Sequence, residues 1–321
     1  MQQSNSILQG KILEATLAQL YELEKPITCS FLRRSFNDHY LVSTGKEQFI
    51  LRVYLNDKNY IHSVEEIHFE LDFLTYLHSR SVAVIAPISS KKNQKLSSIT
   101  FEDETRYLTL FPFAKGKAIE AELTKEQAVG LGEMIGELHR ESKQFESGFS
   151  RYRLDGKSLM EDPLNEIEKY TCLFGLGNLH FFRETSRILM EGIDHLPKDD
   201  QTYGLVHGDP NPSNFHFCKT NGFSLFDFDH CGYGYRIHDL AVVKLSYPVE
   251  IYQSVVEGYE GIRTLKGSEK VFIDNYADIL SVKKFSDIFN MLEVTGADEA
   301  TKKLIAQNAM ETLGDILNRT P

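Results

Sequence analysis

The chain has 321 residues, 41% of them hydrophobic and 25% charged, with a formal net charge of −11. That length exceeds what a single hydrophobic core usually organises, about 250–300 residues, and the negative charge disfavours nucleic acid, whose phosphates call for a basic surface. No apolar run nears the roughly 20 residues of a membrane span, and the opening MQQSNSILQG lacks the basic-then-apolar pattern of a leader, so a cytoplasmic protein with no membrane partner is expected. Residues 7–22 (ILQGKILEATLAQLYE) predict an amphipathic helix, with Pro26 ending it. ITCSFLRR (27–34) reads as a strand. HYLVS (39–43) and QFILRVYL (48–55) flank the turn Thr44-Gly45-Lys46 and read as a hairpin. From Ser63 the spacing of Ile67, Leu71 and Leu74 predicts a helix, and Ser63 with Glu66 has capping-box spacing. VAVIAPI (82–88) and SSITF (97–101) are expected as strands, followed by RYLTLFPF (106–113). The first 113 residues thus describe a small sheet with one inserted helix.

Beyond Gly116 the pattern changes. Residues 124–144, 161–196 and 270–318 read as mostly helical, with a strand–loop–strand block at 203–228. The expectation is α+β: a β-rich unit over 1–113 and a larger helical unit over 114–321. Residues 1–115 carry 13 basic and 13 acidic residues, so the whole net charge arises after them. A cationic or zwitterionic substrate in the second unit and a plain solvated acidic surface both account for that asymmetry. Cys29, Cys172, Cys218 and Cys231 are far apart and form no CxxC pair, which argues against structural zinc and a disulfide framework.

The densest chemical signal is Leu205-Val206-His207-Gly208-Asp209-Pro210-Asn211-Pro212-Ser213-Asn214-Phe215, followed by Phe226-Asp227-Phe228-Asp229. Asp209 and Asn214 are five apart, and Asp227 sits in an apolar stretch read as a strand. Phosphoryl transfer from a nucleotide needs such a set: one carboxylate to take the acceptor's hydroxyl proton, and an amide oxygen with a second carboxylate to hold Mg²⁺. The Asp–Asn offset matches that of the protein-kinase catalytic loop. Gly208 and two prolines favour a fixed loop over a helix. His139, His216 and His238 lack zinc-site spacing and read as ordinary helix or strand residues.

HGDPNPSNFHF with FDFDHCGYGYRIHDLA resembles the aminoglycoside phosphotransferase and choline kinase-like superfamily, nearest to its type II homoserine kinase-like proteins. The resemblance spans roughly residues 27–265 and implies a two-lobed, protein kinase-like fold. It implies that Asp209 is the catalytic base, that Asn214 and Asp227 are metal ligands, and that His207 and Asp239 orient and brace the catalytic loop. Asp229 would assist the metal or position substrate, whereas His230 stands where a further acidic residue is usual and has no assigned role. On the nucleotide side, Arg52 occupies the strand position where protein kinases carry Lys, with Glu70 of the following helix as its partner. Arg keeps the charge but changes the geometry. Ser35 and Asn37, on the hairpin loop, would bond to phosphate, although a simple β-turn explains them equally well. Phe113 and Ala114 would meet the adenine edge by their backbone, and Phe111 would line the back of that pocket.

The leading expectation is therefore transfer of the γ-phosphate of MgATP to a hydroxyl of a small molecule: an amino alcohol, a homoserine-like amino acid, an aminoglycoside or a sugar. A Ser/Thr protein kinase of the same fold and a catalytically silent nucleotide-binding module are the alternatives. ATP against GTP, the acceptor and the oligomeric state are left open by the sequence.

Overall fold

A computed structural model describes residues 7–56, 58, 61–119, 123–176 and 180–319; residues 1–6, read above for a leader pattern, lie outside them. The chain divides into two compact units. The first runs up to Gly116 and includes Glu146–Ser150, and the second comprises Lys117–Phe145 and everything from Arg151 onward. The return of residues 146–150 to the first unit has no counterpart in the sequence pattern.

In the first unit five antiparallel strands lie in the order β1-β2-β3-β5-β4: β1 (Thr28–Arg34), β2 (Asn37–Ser43), β3 (Gln48–Tyr54), β4 (Ser97–Phe101) and β5 (Glu104–Pro112). Strand alternation gives the sheet two faces. Leu51 and Val53 of β3, Tyr40 and Val42 of β2, and Leu108 and Leu110 of β5 form a core with Leu13 and Leu17 of α1 (Gly10–Leu20). Arg52 and Tyr54 take the alternate positions on β3, and Arg52 meets α2 (Val64–Ser79) through Glu70.

Three expectations fail here. Helix α1 ends at Leu20, five residues before the Lys25–Pro26 bond, because Tyr21 is already extended; Pro26 is not its terminator. The Ser63–Glu66 capping box does not form. The Ser63 side chain caps nothing, and the Glu66 carboxylate accepts instead from the His62 amide at 2.6 Å. Residues 82–88 make no strand beyond a bridge at Val84, since Val82 N–H closes back onto Leu77 and only Ile88 reaches the sheet, bonding Leu110 O at 2.8 Å.

Residues 146–150 run along α2. Ser147 Oγ donates to Asp72 (3.3 Å), the Phe149 ring stacks on His68 (4.7 Å between centroids) and Ser150 Oγ donates to Glu65 (3.1 Å). Positions 65, 68 and 72 form one helical stripe, and Glu70 projects from the opposite side. Helix α2 is thus held on both faces.

The second unit has a three-stranded sheet in the order β6-β8-β9, from β6 (Lys117–Ala118), β8 (Phe215–Cys218) and β9 (Gly222–Leu225). A two-stranded ladder pairs β7 (Tyr203–Val206) with β10 (Gly232–Tyr235). Around them lie α3 (Lys125–Glu141), α4 (Asp162–Leu173), α5 (His180–Asp194), α6 (Ile237–Ser246), α7 (Val249–Ile262), α8 (Gly267–Thr295) and α9 (Glu299–Arg319). The stretch read as helical over 161–196 becomes α4 and α5, with residues 177–179 outside the described set. Helix α3 starts with a capping box between Thr124 and Gln127. It packs backbone to backbone on α7: a Cβ on Gly132 would meet Val255 O at 1.9 Å, and one on Gly258 would meet Val129 O at 1.9 Å. Among the described residues no helix is long and apolar enough to cross a membrane, and none of the four cysteines is in a disulfide.

Candidate active site

In the second unit β7 delivers the chain into the HGD loop, and the loop's shape follows from its hydrogen bonds. The buried Asp239 carboxylate on α6 accepts from the His207 amide (2.8 Å) and the Gly208 amide (2.9 Å). The Asp209 amide donates to His207 Nδ1 (3.1 Å), which makes that nitrogen an acceptor, so His207 carries its proton on Nε2 and donates it to Phe226 O (3.0 Å). One imidazole thereby ties the Asp209 turn to the residue before Asp227. Gly208 has φ +86°, and a Cβ there would meet His230 O at 2.1 Å. Only glycine fits.

Asp209 emerges from this turn half-buried. Its Oδ2 accepts from Asn211 Nδ2 (2.8 Å) and Asn214 Nδ2 (3.0 Å). Asn214 Nδ2 also bonds Asp209 O (2.9 Å), and Asn214 O accepts from the Phe226 amide (2.9 Å). Burial pushes the Asp209 carboxyl up to about 7; the Asn211 hydrogen bond and Lys283 oppose the rise, while Asp227 and Asp287 add to it. Asp227 does not lie in a strand as expected. β9 stops at Leu225, and Asp227 adopts the left-handed conformation (φ 64°, ψ 61°) that opens the turn Phe228–His230. Asp229 is buried. Its backbone carbonyl accepts from Arg151 Nη2, and Arg151 Nε bonds Cys231 O (2.6 Å). Tyr152 Oη donates to His230 O (2.9 Å), and burial lowers the His230 pKa to about 4. Residues 151–152 therefore pin the turn that carries Asp227 and Asp229.

Two histidines read from the sequence as ordinary are part of this network. His139 on α3 meets Asp239 Oδ2 through Nε2 (2.9 Å) and the Tyr259 hydroxyl through Nδ1 (2.7 Å). Arg263 Nη1 donates to the same hydroxyl (3.1 Å), so the tyrosine proton points to His139 Nδ1 and the imidazole proton to Asp239. Burial pulls His139 down to about 4. Asp239 lies near 2: burial opposes ionisation there, but the His139 hydrogen bond and the neighbouring histidines outweigh it. His238 Nε2 bonds Gly208 O (3.0 Å), and burial lowers His238 to about 4 as well. No local motif marks His139, and in HDLA the resemblance assigns a role to Asp239 alone. The partners of the two histidines lie 100 and 30 positions away. His216 stays on β8, its ring edge-on to Phe226 (5.1 Å).

Among the described residues no three His, Cys, Asp or Glu side chains gather to hold a metal by themselves. Mg²⁺ does not need that many, since nucleotide phosphates and water complete its octahedron around one or two protein oxygens. Asp227, with Asn214 tied to the residue before it, would supply donors of that kind.

In the first unit Arg52 Nη1 lies 2.7 Å from Glu70 Oε1, both side chains buried, with the guanidinium over the Phe111 ring (5.1 Å) and near Tyr54 (5.8 Å). The expected phosphate loop differs. Asn37 is buried and already in β2, paired with Tyr54, and only Ser35 and Phe36 lie between the strands. Arg34 and Asp38 close this hairpin with two hydrogen bonds, at 2.6 and 2.7 Å. The Phe113 amide donates to Gln48 O (3.2 Å), which ties the end of β5 to β3, and Ala114, next in sequence, is buried.

Residues 32–267 match the model of the phosphotransferase enzyme family. An uncharacterized protein of Synechocystis sp. is 31% identical over 229 residues, which cover 69% of this chain and 60% of that protein. Among solved structures, a microcompartment-associated aminopropanol kinase superposes with a TM-score of 0.75 at 21% identity, covering 96% of this chain and 95% of that one. The amicoumacin kinase hAmiN in complex with AMP-PNP, Ca²⁺ and Ami gives 0.75 at 19% identity, covering 98% and 95%.

Proposed function

Since the chain belongs to the phosphotransferase enzyme family, we propose that it transfers the γ-phosphate of ATP to a hydroxyl of a small molecule. The observation that carries this reading is the Asp209 carboxylate, held by Asn211 and Asn214 on a loop braced by Asp239, with its carboxyl near 7. A general base works best with a pKa near the working pH. In this reading Asp209 orients the acceptor hydroxyl and takes its proton. Asn214 and Asp227 would hold Mg²⁺, which when bound offsets charge on the phosphates; Asp229 supports that turn. His207 and Asp239 keep the loop in register, His139 and His238 extending that bracing. In the first unit Arg52, paired with Glu70, would position nucleotide phosphate. The bound AMP-PNP and Ca²⁺ of the amicoumacin kinase support ATP and a divalent ion as the co-substrate pair.

The test is ADP release by the purified protein over a panel of amino alcohols, hydroxy amino acids, aminoglycosides and sugars, with ATP or GTP and with or without Mg²⁺. The reading predicts acceptor-dependent, Mg²⁺-dependent ADP release that Asp209→Asn abolishes. ADP release that no small hydroxyl compound stimulates, alongside radiolabel transfer to protein, would replace it with a protein kinase.

A further inference from the structure

The brace behind the HGD loop does not end at Asp239. Arg263, the residue after α7, spends its guanidinium on three acceptors. Nε donates to Gln201 O (2.8 Å), two residues before β7, Nη1 to the Tyr259 hydroxyl (3.1 Å) and Nη2 to Glu269 Oε1 (2.6 Å). The second Glu269 oxygen accepts from the Lys266 amide (2.9 Å), where α8 begins. From Tyr259 the bonds continue through His139 to Asp239 and finish on the His207 and Gly208 amides. Arg263 thus grips the entry to β7 directly, and the loop at the exit of β7 through three side chains. Glu269, Arg263, Tyr259, His139 and Asp239 are all buried, so water does not replace a bond that is lost.

The direction of each bond is set. A guanidinium only donates, and a hydroxyl has one proton. Arg263 therefore turns the Tyr259 proton onto His139 Nδ1. The imidazole is held at both edges, by Tyr259 on one nitrogen and by Asp239 on the other, and cannot swing about its bond to the carboxylate. The chain runs from a cation to an anion through two neutral groups, so each bond polarises the next. Helix packing brings the tyrosine into place: the close approach of α3 and α7 at Gly132 and Gly258 sets its ring edge-on to His139, with centroids 5.6 Å apart. The far end is tied down as well, since Lys266 Nζ pairs with Asp199 (2.5 Å), two residues before the carbonyl that Arg263 holds.

We propose that Tyr259 and Arg263 are positioning residues for the reaction at Asp209, holding the His139 imidazole in line with Asp239 and so fixing the carboxylate from which the HGD loop hangs. The kinetic part of this inference rests on the phosphotransferase reading; the loop itself is read without substrate. Tyr259→Phe keeps the ring and removes only the hydroxyl. In the full chain, amide hydrogen exchange at His207 and Gly208, followed by NMR, should quicken by about tenfold, and kcat should fall by about as much, the scale of one buried hydrogen bond left unmade. Exchange elsewhere in the second unit and KM for ATP should not move. Arg263→Lys keeps a cation for Glu269 but has one nitrogen for three acceptors, and should show the same two changes. In a His139→Ala background Tyr259→Phe should cost nothing further, because the hydroxyl acts through that ring. Unchanged exchange at His207 and Gly208, exchange that quickens evenly across the second unit, or losses from Tyr259→Phe and His139→Ala that add in full would overturn the inference and leave the phosphotransferase reading standing. If Tyr259→Phe fails to fold, Arg263→Lys is read in its place; failure of both would make these residues structural and overturn it too. Quickened loop exchange in a protein that phosphorylates no acceptor would remove the phosphotransferase reading and leave Tyr259 and Arg263 as the residues that hold the loop.

Discussion

Arg52 and Glu70 form an ion pair of 2.7 Å in which the side chains are only 6% and 0% exposed. Breaking such a pair strands a buried charge, typically at a cost of 3–5 kcal/mol. Arg52→Ala and Glu70→Ala should therefore lower thermal stability as well as activity. Arg52→Lys keeps the charge but loses the planar group lying over Phe111. We expect it to fold, to raise KM for ATP several-fold and to lower kcat. Turnover at or above wild type would mean that the site is not shaped for a guanidinium.

Asp209→Asn should reduce kcat by about 10²–10⁴-fold, the usual range for a general base, with nucleotide affinity nearly unchanged. Retention of more than about a tenth of wild-type kcat would remove Asp209 from the role of base.

Asp227→Ala should abolish the Mg²⁺ dependence of nucleotide binding, measured by calorimetric titration with and without the ion. An unaltered dependence would exclude Asp227 as a ligand.

Gly208→Ala tests the bracing of the loop. The new methyl group would meet a backbone oxygen, and φ +86° disfavours any side chain. Turnover should fall at least as far as in Asp209→Asn. Full activity would show that the HGD loop is free to take another form.

Acid should weaken the fold through His139 and His238. Each is held neutral by burial, with a pKa near 4 against an ordinary 6.5. Between those values the unfolded chain binds more protons than the folded one, so stability falls as pH drops from about 6.5 to 4 and is fully present above 6.5. Asp239 adds to the fall only towards pH 4, where the unfolded carboxyl begins to take up its proton, and Asp209, raised to about 7, is protonated first in the folded chain and opposes part of the decline. Urea midpoints should decline from pH 7 to 4.5, and the His139→Gln variant should decline less steeply. A flat wild-type profile would contradict neutral burial of the two rings.

The parts of this architecture that follow from local pattern were legible in the sequence. Alternation along Phe49–Tyr54 announced β3 and put Arg52 on the face opposite Leu51, and the spacing of Asp209, Asn214 and Asp227 marked the loop. What escaped depends on distant partners. Val82–Ile88 is as apolar as a strand, yet the Val82 and Val84 amides close back onto Leu77 and Val82. Ser63 and Glu66 have capping spacing, but His62 claims the carboxylate. His139 looks like any helical histidine until α6 brings Asp239 to it.

Residues 146–150 make the first unit discontinuous in sequence, because the chain leaves it after Gly116, returns for five residues and leaves again. No single cut can release this unit whole. A fragment ending at residue 116 would keep all five strands and the Arg52–Glu70 pair but would lose Ser147, Phe149 and Ser150 from the outer face of α2. Exchange of this unit with that of a relative must therefore transplant two pieces of chain, and a chimera joined only at residue 116 would set a foreign helix against a native pentapeptide.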